Sequence, residues 1–307
     1  MAVSLGIPLR RLLLAMLPVI AVWASYSGVS AAPRVIQSPA GPTTRTFSSR
    51  GLSSERAASR HRIVIVLDPG HGGWDTGAVH HEPNGRIDLM EKTVTLEIAL
   101  SAARVLRKQG YMVLLTRTTD RAVNEPPRDL NHDGVIDSVD ELEARVLFAN
   151  RNHASVYVAI HINGSVDPSA HGMLIYYCPA HRFWRLNLRF ARLLDQSIYS
   201  DIAATGYRPP NYGVATDVSD RVPQRYADYP WFLQIGPADA KHGLVENKAV
   251  SALGETLFMT NNREESLLKK PAMIDAIAHG YAGGIEAFIR TDLHNKPFVR
   301  GTGAGNK

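Results

Sequence analysis

Ile63-Val64-Ile65-Val66-Leu67-Asp68-Pro69-Gly70-His71-Gly72-Gly73 holds both a strand and its abrupt end. The first five residues are apolar without a break and mostly β-branched, the texture of a strand buried on both faces. Asp68-Pro69-Gly70 cannot continue it, so the chain must turn there. Outward from this stretch, Glu91 to Gln109 reads as a helix, with Val94, Ile98, Ala102, Val105 and Leu106 on one face and Gly110 as its stop. Tyr111 to Leu115 is the next strand, Asp140 to Asn152 an amphipathic helix, and Val156 to Ile160 a third strand. Strand, helix, strand, helix, strand with short joins predicts a single three-layer α/β domain over 61–291, its twisted, mostly parallel central sheet flanked by helices. Residues 172–177 add a strand, 184–204 a helix, Leu253 to Phe258 a short strand and Pro271 to Ile289 a closing helix; 206–250, rich in Pro, Gly and Asp, reads as long loops.

Two histidines fall where predicted strands end. His71 lies just past the first strand and His161 directly ends the third, while Glu91 opens the first long helix. In open α/β sheets ligands collect at the carboxyl edge, so these residues can converge despite their separation in sequence. Two imidazoles and a carboxylate suit Zn²⁺ and leave a fourth position free, as catalytic zinc requires. Each residue also has an ordinary reading: a histidine beside a glycine turn serves as a loop hydrogen-bonder, and Glu91 as a favourable charge on the helix dipole. Spacing alone leaves both open.

The segment 65–73 resembles the opening of the zinc-dependent N-acetylmuramoyl-L-alanine amidases of the type-3 family. So do Glu91-Lys92 before a long helix, Leu115-Thr116-Arg117 followed by Asp120, Arg145 with Ala149-Asn150, and Ala159-Ile160-His161-Ile162-Asn163. The motifs stand in the family's order over about residues 62–290. The resemblance implies that His71, Glu91 and His161 are zinc ligands and that the chain cleaves peptidoglycan between N-acetylmuramic acid and L-alanine. It also implies a catalytic glutamate near the C-terminal end. Leu253-Gly254-Glu255-Thr256-Leu257-Phe258-Met259-Thr260-Asn261 resembles that last motif and assigns the role to Glu255, with Leu257 where a Gly is usual and Ile162 where the family mostly has Ala. Glu286, inside the closing helix, is the rival carboxylate. His80-His81-Glu82, beside Pro83-Asn84-Gly85, reads as a loop tip whose residues are substrate-side or merely exposed. Two readings compete with the amidase: another zinc peptidase or amidohydrolase on wall peptides, and a non-catalytic wall-binding regulator on an amidase fold.

Residues 129–140 follow the oxygen-ligand spacing of an EF-hand loop. Asp129, Asn131, Asp133 and Asp137 supply side-chain oxygens, Val135 a backbone carbonyl, Gly134 the sharp turn, and Asp140 the last position, as in the dockerin variant. We expect a structural Ca²⁺ in this insertion; ordinary polar turns use the same residue types.

The N-terminal end carries an address. Arg10-Arg11, the apolar run Leu12 to Ala24 and the small residues Val29 to Ala32 form a secretory signal pattern over 1–32, too short in its apolar part to stay as a membrane anchor. A flexible leader is expected over 33–60 and a disordered tail over 292–307. The expected location is the periplasm rather than the outer surface, with no stable membrane insertion after cleavage. Formal charge is +5 for 307 residues, falling to +3 without the two arginines, which suits an anionic wall polymer without identifying one. Basic residues are scattered, so nucleic acid is not an expected partner. Peptidoglycan is, and a protein activator is expected if the 206–250 loops cover the metal. The single cysteine, Cys178, cannot staple the exported fold and is expected to be buried.

Overall fold

The computed structural model describes residues 63–218 and 229–293, which lie within one compact unit. Among the described residues, eight strands and five α-helices follow one another in chain order. They are β1 (Val64–Pro69), β2 (Val79–His81), β3 (Ile87–Met90), α1 (Glu91–Lys108), β4 (Met112–Leu115), α2 (Ser138–Arg151), β5 (Val156–Asn163), β6 (Met173–Tyr177), α3 (Trp184–Ala204), β7 (Asn211–Thr216), β8 (Val250–Phe258), α4 (Asn262–Leu268) and α5 (Pro271–Phe288). Six strands form the central sheet in the order β4-β1-β5-β8-β6-β7, and β2 with β3 makes a separate hairpin. All pairings in the large sheet are parallel except that of β6 with β8.

Alternation along the strands explains the unbroken apolar runs. Ile65 and Leu67 of β1, with Val158, Ile160 and Ile162 of β5, join the core built with α1, α3 and α5. Val66, Tyr157 and Ala159 point the other way, toward Ala149 of α2 and Ile235 of the 231–235 segment. A strand covered on both faces has no solvent side on which to place polar residues. Cys178 belongs to this second cluster and is fully buried.

The loop that ends β1 is held from beneath by buried ions. Arg145 of α2 donates to Asp68 Oδ1 (2.8 Å), to the Pro69 carbonyl (2.9 Å) and to the His71 carbonyl (2.7 Å). Arg117 donates to the carbonyls of Pro69 (3.1 Å) and Gly70 (2.8 Å). The Thr116 and Tyr157 hydroxyls also donate to the Asp68 carboxylate. Removing one partner of such a buried pair costs about 3–5 kcal/mol, because the other charge is stranded. Two motif residues of the sequence, Arg117 and Arg145, are thus clamps on backbone carbonyls.

Several expectations are revised. The 206–250 region contains strand β7 on the sheet edge and a short 3-10 turn over Ala240–His242. The hairpin β2–β3 and helix α4 stand where no regular structure was expected. Ordered chain continues through a π-helical turn, Ile289–Leu293, in which Asp292 pairs with Arg189 (2.6 Å), so 292 and 293 are not part of a disordered tail. The signal pattern 1–32, the leader 33–60 and residues 294–307 lie outside the described residues. No helix among the described residues is long and apolar enough to cross a membrane.

Candidate active site

The carboxyl ends of β1, β5 and β8 meet at one edge of the sheet, and the three expected ligands come together there. His71 Nε2 lies 3.0 Å from Glu91 Oε1, His161 Nδ1 lies 3.0 Å from the same oxygen, and the two ring nitrogens are 3.2 Å apart. Each is fixed independently of the others. His71 has a left-handed backbone (φ 61°), the conformation that its Gly-rich turn imposes, and its Nδ1 bonds Asp75 Oδ2 at 2.7 Å. Glu91, the first residue of α1, accepts from the amide of Ile162 on Oε1 (3.0 Å) and from the amide of Ala78 on Oε2 (2.8 Å). Gly70 permits His161 to lie against the turn, since a Cβ there would meet the imidazole at 2.4 Å. Gly77 (φ 65°) leaves no room for a Cβ between Glu91 and His71.

The charges of the trio act on one another at close range. Burial disfavours the charged carboxylate of Glu91, yet the facing His71 and His161 hold its pKa well below the usual range. Burial likewise lowers His71, but Glu91 and Asp75 outweigh it and push the imidazole up to about 10. His161 Nε2 is buried with no hydrogen-bond partner. Two imidazole nitrogens and a carboxylate oxygen, one of the rings oriented by a carboxylate behind it, form a donor set that fits Zn²⁺. Asp75, the orienting group, was not anticipated from sequence; its position four residues after His71 in a tight turn was the available signal.

Glu255 sits beside this trio. In the parallel register it pairs directly with His161, so both side chains leave the same face of the sheet at its carboxyl edge. Its Oε2 is buried without a partner, and burial, reinforced by Glu91, raises its pKa well above the ordinary carboxylate value. Glu286 is instead on α5, where its carboxylate accepts from Gln109 at 3.1 Å. The β5–β8 register shifts between His161 and Asn163, and Leu257 in this bulge has φ 66°. A left-handed residue at that point accounts for the glycine expected there; Leu257 is fully buried, and its packing offsets the strain of roughly 1–2 kcal/mol.

A cavity of about 580 Å³ opens over these residues, walled by His71, Trp74, Glu91, His161, Phe232 and Glu255 among others. The 231–235 segment therefore forms a wall of the site. His80 departs from expectation: it lies on β2, not on the loop tip, and bonds Asp88 (2.7 Å) and Asn262 (3.1 Å). Glu82 is in the turn and pairs with Arg86 (2.6 Å). His80, Asp88 and Glu265 could together hold a cation, but Lys269 already bridges the two carboxylates and supplies the positive charge. The calcium-type loop is also corrected in part. Helix α2 starts at Ser138, which makes Asp137 its N-cap and Asp140 the capping-box partner, accepting from the amides of Leu130 (2.6 Å) and Asp137 (2.9 Å). Asp140 thus serves as a cap, with both oxygens accepting from backbone amides. Asp129 accepts from Gly134 (3.0 Å), Asp133 accepts from Val135 (2.8 Å), and Asn131 bonds Asp133 (3.0 Å).

Residues 65–287 match the family model described as N-acetylmuramoyl-L-alanine amidase. The chain belongs to the type-3 N-acetylmuramoyl-L-alanine amidase family. Among amidases of known name, AmiC of Neisseria meningitidis is 30% identical over 261 residues, covering 78% of this chain and 55% of that protein. AmiA of Salmonella typhimurium is 31% identical over 271 residues, covering 80% of this chain and 83% of that protein. The solved amidase AmiC2 of Nostoc punctiforme aligns with 25% identity and a TM-score of 0.52, covering 75% of this chain and 98% of that one. The chain therefore spans little more than half of its Neisseria relative and most of the other two.

Proposed function

We propose that this chain hydrolyses the amide between the lactyl group of N-acetylmuramic acid and the L-alanine of the peptidoglycan stem, with one Zn²⁺ held by His71, Glu91 and His161. The observation that carries this reading is the trio of converging candidate ligand atoms with the unpartnered Glu255 Oε2 alongside, in a cavity of about 580 Å³. Zn²⁺ bound there would supply Lewis acidity toward a water and toward the amide carbonyl. Glu255 takes the proton of the attacking water on its carboxylate and returns it to the departing alanine nitrogen. Asp75 holds the His71 Nδ1 proton, so the proton that a bound Zn²⁺ would displace from this ring is the one on Nε2. Cys178 is no candidate nucleophile: it is buried, and burial raises its thiol pKa to about 12.

The wider setting follows from the sequence features. We read the 1–32 pattern as an export signal, with the periplasm as the proposed location and wall remodelling or cell separation as the proposed role. A protein activator would act on the 231–235 wall. The 129–137 loop is proposed to take a structural Ca²⁺ through Asp129, Asn131, Asp133, the Val135 carbonyl and Asp137, supported by positive φ at His132 (62°) and Gly134 (89°). Calorimetric titration of zinc-loaded protein with millimolar Ca²⁺ should give heat, and its absence would remove the loop from the account.

The decisive test of the activity is digestion of purified sacculi, with products identified by mass spectrometry. Intact stem peptides and naked glycan should appear, and chelation should stop their release. Fragments cut within the stem would instead favour a wall peptidase.

A further inference from the structure

Trp74 is out of place by the logic that builds the rest of the domain. It is 64% exposed, although an indole has the largest apolar surface of any side chain. The fold nevertheless fixes its backbone with care. The amide of Gly72 donates to the Asp75 carbonyl (2.9 Å), and the amide of Asp75 donates back to the Gly72 carbonyl (3.2 Å). Gly73 on one side donates to Asp120 (2.8 Å) and accepts from Lys92 Nζ (2.8 Å). Asp75 on the other side is bonded to His71 and to the amide of Gly77 (3.0 Å). Among the described residues the indole has no stacking ring or cation of its own. Three residues from a metal ligand, a pinned turn thus presents a flat apolar face on the wall of the cavity.

A rigid aromatic face left open beside a reaction centre is a preformed contact whose partner arrives with the substrate. On the amidase reading, on which this inference rests, two chemically different arms extend from the scissile amide. The stem peptide offers small and charged groups. The glycan offers pyranose rings, whose axial C–H bonds form an apolar patch that matches the electron-rich face of an indole. We infer that Trp74 is the stacking platform for a sugar ring of the glycan strand, so that the glycan lies over the 72–75 turn. Trp74 is therefore a specificity residue that distinguishes glycan-linked substrate, and not a structural residue of the turn.

The two reaction products separate the arms. Inhibition constants for naked glycan strands and for free stem peptide are measured with wild type, Trp74→Ala and Trp74→Phe. Trp74→Ala should weaken inhibition by the glycan about five- to tenfold and leave that by the peptide within twofold, with Trp74→Phe recovering most of the loss. Equal weakening of both inhibitors, no weakening of either, or a loss confined to the stem peptide would each overturn the inference. Direct calorimetric titration with naked glycan reads the same contact without turnover. A wild-type protein that releases no stem peptides would therefore fail the amidase reading separately from this one.

Discussion

At the scale of single residues, the proposed chemistry rests on Glu255 being the proton carrier and not a ligand. Its register opposite His161 and its unpartnered, buried Oε2 place a carboxyl with an uncommitted oxygen beside the trio. Glu255→Gln preserves shape and removes basicity, so turnover should fall at least ~10²-fold while zinc content stays at the wild-type level. Near-normal hydrolysis of sacculi by that variant would move the role elsewhere, although Glu286 is occupied by Gln109 on another helix. The trio was singled out in sequence by its placement at strand ends and a helix start together with the resemblance to the amidase motifs, since spacing alone left ordinary readings open. Asp75 and Trp74 were not, because what defines them is the direction a side chain takes from a tight turn. Leu257 shows the reverse: it looked like a departure from pattern, and its backbone shows why a glycine was expected.

Among elements, the hairpin β2–β3 has the least obvious sequence signal and the most direct bearing on the site. Its strands are three and four residues long, too short to show a period, and Pro83-Asn84-Gly85 draws the eye to the turn. Yet Ala78, just before it, and Glu91, just after it, exchange hydrogen bonds, so the hairpin sets the place of a ligand. The far side is clasped to α4 and its flank by His80, Asp88, Asn262, Glu265 and Lys269. Partial burial lowers the His80 pKa, but Asn262, Asp88 and Glu265 together raise it above the ordinary value. A raised folded-state pKa means that the protonated ring stabilises the fold. That contribution is complete below the unfolded pKa of about 6.5 and is lost as pH rises through the folded value. Urea unfolding should therefore show His80→Ala most destabilised relative to wild type near pH 5.5, with the gap narrowing toward pH 8.5. A gap that stayed constant or widened with pH would show that the ring acts as a neutral hydrogen-bonder. Strand β7 and helix α4 escaped sequence reading for similar reasons, one being an edge strand with Gly213 inside it and the other a helix of seven residues.

On the scale of the molecule, the fold brings distant residues to one edge by layering. Continuous burial along β1 and β5 requires cover on both faces of the sheet, and their parallel pairing brings their carboxyl ends to a common rim. That much was written in the apolar runs. The antiparallel entry of β6 was not, since strand direction depends on the path of the connections, and neither was the ionic clamp of Arg117 and Arg145 beneath the metal turn. Together these make the trio a preorganised site whose ligands are positioned by backbone amides, by carbonyl-bound arginines and by Asp75. The account stands most directly on metal content measured by native mass spectrometry of the folded protein. Wild type and Glu255→Gln should each carry one zinc per chain, while His71→Ala, Glu91→Ala and His161→Ala, with unchanged circular dichroism, should carry none. Ligand variants that retain full zinc, or a wild-type protein that takes up none, would contradict it.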